Sequence, residues 1–216
     1  MVKNILSLTL LCSTMMMICT RVLAQGSDRV PDVAITTASP LIYPLKSTPA
    51  GLVKLYSNLG SKTDAYDDNL AWVVFGPDTG LQQWMAMPFT PKANATVRQI
   101  KVAIGNEGGT NGVTLLLAAD AGGVPGKTIH KWEVKNLFTW GGCCSLDLAK
   151  TSGLMVKKGT LYWIVAKTDS TNSNAQDVWA YTWNHAMGNI SYNLGAGWKP
   201  YPNQVLSAYA VYGTKP

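Results

Sequence analysis

Residues 96–134 constrain this chain more than any other stretch. They read TVRQIKVAIGNEGGTNGVTLLLAADAGGVPGKTIHKWEV, three apolar runs of strand length separated by two glycine-rich segments. In residues 99–105, Ile100, Val102 and Ile104 alternate with Gln99, Lys101 and Ala103. A period of two with one wet face marks a half-buried antiparallel strand. Residues 113–119 are apolar on both faces, Thr114 excepted, so that run belongs inside a sheet and covered on both sides. Residues 128–134 alternate again. Residues 106–112 (NEGGTNG) and 120–126 (DAGGVPG) read as turns. There Asp bonds the backbone ahead, Gly permits positive φ and Pro presets φ.

The same grammar continues on either side. Strands are expected at 52–58, 70–75 (LAWVVF), 81–89, 154–156, 160–168 (TLYWIVAKT), 178–183, 190–194 and 205–212. Loops are expected at 61–69, 136–151, 169–176 and 195–203 (GAGWKPYPN). No long window carries apolar residues at a period of 3.6 between caps. Many short strands with regular turn signals predict an all-β fold, a two-layer antiparallel β-sandwich of jelly-roll-like form.

Residues 1–24 carry Lys3, an apolar run over 5–18 and the ending Val22-Leu23-Ala24. That pattern is a secretory signal peptide, with the cut expected before Gln25. Residues 25–51 form a Pro/Ser/Thr-rich leader with Pro31, Pro40, Pro44 and Pro49, and with room for a short edge strand at 41–43. The β-sandwich domain is then 52–216. Losing Lys3 and Arg21 with the signal lowers the formal charge from +6 to +4. The lysines are scattered and make no basic stripe, which argues against a nucleic-acid partner. No later apolar run reaches the length of a membrane span. The expected location is secreted, either extracellular or at the cell surface.

Cys12 and Cys19 leave with the signal, and Cys143 and Cys144 are adjacent. Export exposes them to an oxidising medium. Three states stay open: a vicinal disulfide, two free thiols, or an intermolecular bond. Consecutive Cα atoms about 3.8 Å apart fall short of the usual disulfide range of about 4.4–6.8 Å. A vicinal bond would stiffen a loop without stapling the fold. With no companion Cys or nearby His, the pair is a poor zinc site.

The order of motifs is informative. It runs LYSNLG at 55–60, Tyr66-Asp67 ahead of Trp72, MPFTP at 87–91, VRQIKVAIG at 97–105, TNGVTLLLAADAGGVPG at 110–126, SGL at 152–154 and GTLYWIVA at 159–166. Over most of residues 52–183 the chain resembles the choice-of-anchor R domain of secreted bacterial proteins. The resemblance implies an exported or surface-associated β-sandwich and supplies no catalytic residues. Members of that family often end in a sorting signal with a membrane helix and a basic tail. The sequence ends instead Tyr212-Gly213-Thr214-Lys215-Pro216, so the expectation is free secretion.

Candidate chemistry is sparse. The only histidines are His130 and His185, and the only glutamates are Glu107 and Glu133. Nothing places a nucleophile and an acid beside either imidazole, as triad catalysis requires. Paired-carboxylate hydrolysis would have to use aspartates. The reading is therefore a non-catalytic module for extracellular binding, adhesion or matrix assembly, with an uncharacterised hydrolase as an alternative. Asp64, Asp67, Asp68 and Asn69 cluster in one polar turn. Close oxygen ligands suit Ca²⁺, but the favoured reading of the same residues is a solvated turn bonding its own backbone. Eight Trp and nine Tyr against three Phe favour half-exposed faces. Trp179, Tyr181 and Trp183 share one strand face and read as sandwich interior. Trp140, Trp198 and Tyr201 read as loop aromatics, candidates for stacking on sugar rings. The expected partner is an extracellular polysaccharide or another surface protein.

Overall fold

The computed structural model describes residues 32–34 and 51–216, apart from residues 62–63 and the side chains of residues 32–34 and Ser152. The expected signal at 1–24 and edge strand at 41–43 lie outside the described residues. Among the described residues there is no α-helix, only a 3-10 turn at Pro77–Thr79 and fourteen strands. These are β1 (Asp32–Ala34), β2 (Val53–Ser57), β3 (Leu70–Phe75), β4 (Trp84–Phe89), β5 (Ala95–Val102), β6 (Ile104–Gly108), β7 (Gly112–Asp120), β8 (Pro125–Lys135), β9 (Asp147–Val156), β10 (Tyr162–Lys167), β11 (Gln176–Ala180), β12 (Met187–Asn193), β13 (Trp198–Val205) and β14 (Tyr209–Thr214).

One layer is a six-stranded sheet ordered β13-β12-β4-β10-β7-β8. The other is split into two four-stranded sheets, β1-β3-β11-β6 and β2-β14-β5-β9. Every strand pairing is antiparallel. The expected antiparallel β-sandwich is thus the fold, and the split is what the sequence did not announce. It falls at Ala103, where a continuous apolar run passes from β5 in one sheet to β6 in the other. There three backbones close a ring of hydrogen bonds: Ala103 N to Ala208 O (3.1 Å), Ala208 N to Ala180 O (2.8 Å) and Ala180 N to Ala103 O (2.9 Å). All three alanines are fully buried.

The core lies between the layers. Met85, Met87, Leu117 and Ile164 enter it from the six-stranded sheet, and Leu55, Ile100, Ile104 and Trp179 from the facing sheets. Fully burying a side chain such as Leu, Ile or Met contributes about 1.5–3 kcal/mol. The indole N–H groups of Trp72 and Trp179 donate to Val205 O (2.8 Å) and Ala208 O (3.0 Å). Each ring is thereby buried without a stranded donor.

Four expectations need correction. Residues 106–108 are strand, not turn, because Asn106 and Gly108 keep pairing with Asp177 and Gln176 of β11. Residues 198–203 are strand, not loop. Pro200 and Pro202 lie on the edge strand β13, where a missing N–H leaves no ladder bond unmade on the open side. The strand expected at 154–156 starts earlier, at Asp147, by pairing with β5. The run expected over 205–212 is divided between β13 and β14. The run at 113–119 does lie inside its sheet, between β10 and β8. The strand at the sheet's centre is β10, buried from Tyr162 to Ala166.

Candidate functional site

The turn at 64–69 and the cysteine loop, far apart in sequence, are brought together. Cys143 and Cys144 are joined by a disulfide across a cis peptide, with their Cα atoms 3.0 Å apart. Tyr66 threads the loop: its hydroxyl donates to Gly142 O (2.7 Å) and accepts from Ser145 N (2.9 Å). Cys143 N donates to Asp68 Oδ2 (3.1 Å), and Ala65 N to Cys144 Sγ (3.2 Å). Burial pushes the Tyr66 hydroxyl well above its ordinary pKa, against the opposing bond from Ser145. The loop covers a small apolar cluster of Tyr66, Val73, Ala103, Trp140, Cys144 and Val178 on the outer face of the β1-β3-β11-β6 sheet.

The four Ca²⁺ candidates are all engaged by protein groups. Asp67 Oδ1 accepts from the backbone of Asn69 (2.8 Å) and Leu70 (3.3 Å), while Oδ2 meets His185 Nε2 at 2.6 Å. Partial burial raises the Asp67 pKa, but the bonds from His185 and the backbone outweigh it and hold the carboxyl below its ordinary value. Asn69 Nδ2 donates to Asp68 Oδ1 (3.0 Å), and Ser61 Oγ to Asp64 Oδ2 (3.2 Å). Among the described residues, no three or more His, Cys, Asp or Glu side chains are gathered to hold a metal. His130 packs edge-on against Trp132, centroids 4.5 Å apart. Neither imidazole bonds a hydroxyl or thiol among the described residues.

The three candidate aromatics do not form one site. Trp140 is not a loop-tip residue. It is 8 % exposed beneath the cysteine loop, because the apolar outer face under it needs cover. Its Nε1 is buried without an acceptor. Trp198 and Tyr201 stand three residues apart on β13, so they point to opposite faces. Tyr201 packs into the core, 6.1 Å from Trp72 and 5.5 Å from Tyr192. Trp198 packs outward with the Ala86, Ala118, Trp163 and Val165 cluster. Of the strand trio, Trp179 and Tyr181 are core, whereas Trp183 is 53 % exposed and lies against Gly60.

Register assembles the outer face of the six-stranded sheet into rows. Trp198 stands opposite Asn193, and Asn193 opposite Trp84. Pro200, Ser191, Ala86, Val165, Leu116 and Lys131 form the next row. Pro88, Trp163 and Ala118 follow. Lys167 Nζ lies 4.7 Å from the Trp84 ring centroid, and the Trp163 indole donates to Asp120 Oδ1 at 2.8 Å. At one end, where this face meets the facing layer, lies a groove of about 680 Å³ walled by Pro88, Leu161, Trp163, Pro200, Pro202 and Leu206 and reached from below by Phe89 and by Tyr56 of β2, with Thr90, Lys92 and Asn189 also lining it. Sequence reading missed this groove. The available signal was that 84–89 and 161–166 are apolar on both faces, which leaves one apolar set outside the core.

A second feature was also missed. Asp147 and Asp177 each bury an Oδ2 that accepts no hydrogen bond. Burial holds both carboxyls up at about 7, and the charge of Asp177 raises Asp147 further. Asn106 Nδ2 bonds Asp177 Oδ1 at 2.9 Å and opposes part of that rise.

No protein-family model and no curated protein matches the chain. A solved structure of the cysteine protease and lectin-like domains of Cwp84, a surface layer associated protein of Clostridium difficile, is similar at a TM-score of 0.43 and 10 % identity. The match covers 62 % of this chain and 33 % of that one, so the chain spans about a third of that structure.

Proposed function

We propose that the chain is an exported, non-catalytic binding module whose ligand sits in the groove on the outer face of the six-stranded sheet. The observation that carries this reading is the groove itself, about 680 Å³ with walls of proline, leucine and tryptophan and few polar groups. Concave, mostly apolar sites with a few polar anchors are the usual form of a binding pocket. Trp163 is 1 % exposed and offers no free ring face to a sugar. Apolar walls of this kind fit an extended apolar segment of another surface protein. Pro200 and Pro202 lack the N–H needed for strand addition along β13, so recognition falls to side chains. Export rests on the signal-like residues 1–24 and on the resemblance to choice-of-anchor R domains.

Polysaccharide binding is the second reading, favoured by a different observation. Trp84 and Trp198 flank Asn193 across two strand spacings, about 10 Å. Two rings on one face at that spacing suit a run of sugars, although Lys167 occupies one side of Trp84.

Panning a displayed library of extended peptides against the full chain, beside a glycan array, separates the two. Enrichment of apolar peptides that is lost with Leu161→Asp supports the groove. Glycan retention that is lost with Trp198→Ala replaces it by the second reading. No enrichment in either screen removes both.

A further inference from the structure

We infer that the groove takes an extended peptide segment in which an apolar run is flanked by acidic residues, a step that rests on the groove being the binding site. Register sets the direction of the occupant. Pro202 of β13, Asn189 of β12, Pro88 of β4 and Trp163 of β10 line the groove, and those strands are neighbours in that order. The groove therefore runs across the strands. The distance from β13 to β10 is about 14 Å, the reach of about four or five extended residues.

The rim along the strand ends is not uniform. At the β12–β13 half it is apolar: Leu206 lines the groove, and Met187, next to Gly188, is 58 % exposed. At the β4–β10 half it is cationic. Lys92 lines the groove just past Thr90 and is the only charged residue that does so among the described residues. The turn ahead of β10 is bonded to the segment that holds Lys92. Lys158 N donates to Asn94 Oδ1 (2.8 Å), and Gly159 N to Pro91 O (3.1 Å). Those bonds bring the Lys157-Lys158 pair beside the same rim. All three lysines are exposed, and none is in an ion pair among the described residues. Asp120, which accepts from the Trp163 indole, is also engaged by the amides of Gly122 and Gly123 in its own turn. A cationic rim beside an apolar groove selects by charge: an acid at that end is favoured and a base is rejected.

The test is fluorescence anisotropy of three labelled peptides with the full chain. Each carries the same Pro/Leu run, which proline keeps extended. They differ only in the flanking residues, Asp, Asn or Lys. At about 50 mM salt the Asp-flanked peptide should bind about fivefold or more tighter than the Lys-flanked one, with Asn between, and the gap should narrow at about 0.5 M salt. Lys92→Glu or Lys158→Glu should narrow the gap, and the two together should reverse it. Lys135→Glu, the same charge change at the opposite end of the sheet, should leave it unchanged. These lysines are exposed, so the variants keep the fold. Equal binding of the three peptides to the parent chain, lost with Leu161→Asp, overturns the inference and leaves the groove as the binding site. Binding of none, or binding that ignores Leu161→Asp, overturns both.

Discussion

The two outer faces of the sandwich are both apolar near their centres, and they are finished differently. On the β1-β3-β11-β6 sheet the chain caps itself. The cysteine loop lays Trp140 and Cys144 over Val178 and Ala180, and Tyr66 and Asp68 bond the loop in place. On the six-stranded sheet, Leu116, Leu161 and Trp198 stay half-buried and a groove opens beside Trp163. A capped face converts apolar area into stability, while a grooved face leaves part of it open. Substitutions on the two faces should therefore fail in different ways.

The largest effect is expected under the cap. Trp140→Ala removes a buried indole and should cost about 3–5 kcal/mol in denaturant unfolding. A loss under about 1 kcal/mol would show that the loop does not seal this face.

Next comes pH, acting at the seam between the two facing sheets. The carboxyls of Asp147 and Asp177 rise from an ordinary 3.8 to about 7 in the fold. A raised carboxyl pKa means that the folded state binds protons more tightly than the unfolded one. Its contribution is present in full below the unfolded value and is lost as pH rises through about 7. Melts taken at rising pH between about 4 and 8 should lose stability, by at most about 4 kcal/mol per group. A flat profile would mean that the pair is matched by something else at every pH.

Tyr66→Phe is smaller. It leaves Gly142 O and Ser145 N without their partner and should cost about 1–3 kcal/mol, read from the same unfolding curves. A neutral result would place the loop's hold in Asp68 and packing alone. Leu161→Asp, on the grooved face, should change stability least, by under about 1 kcal/mol, because Leu161 is only half-buried. Its circular dichroism should match that of the parent chain.

These contrasts track what was legible in the sequence. Period-two alternation located β5 and β8, and continuous apolar runs located β7 and β10, which are buried along most of their length. It failed at β6 and β13. Asn106-Glu107-Gly108 and Pro200-Tyr201-Pro202 look like turn residues, and only pairing with β11 and β12 makes them strand. The dense run of Asp64, Asp67, Asp68 and Asn69 drew attention as a metal site, yet density in sequence put those carboxylates within reach of their own backbone. Asp147 and Asp177 carry no local signal, because the sheet pairings that bury them lie outside their own segments. Trp140, Trp198 and Tyr201 were grouped by being aromatic near the expected loops. Their separation depends on which way β13 faces and on what the cysteine loop covers. The groove depends on the same thing, for its walls come from β2, β4, β10, β12, β13, the turn after β7 and the residues flanking β10 and β13.

The most direct measurement is calorimetric titration of a library-selected apolar peptide into the full chain and into its Leu161→Asp and Asp67→Asn variants. If the grooved face is the binding face, Leu161→Asp weakens binding by about tenfold or more, a loss of about 1.4 kcal/mol or greater, and Asp67→Asn leaves it unchanged. Equal affinity of the parent chain and Leu161→Asp for that peptide would contradict the account.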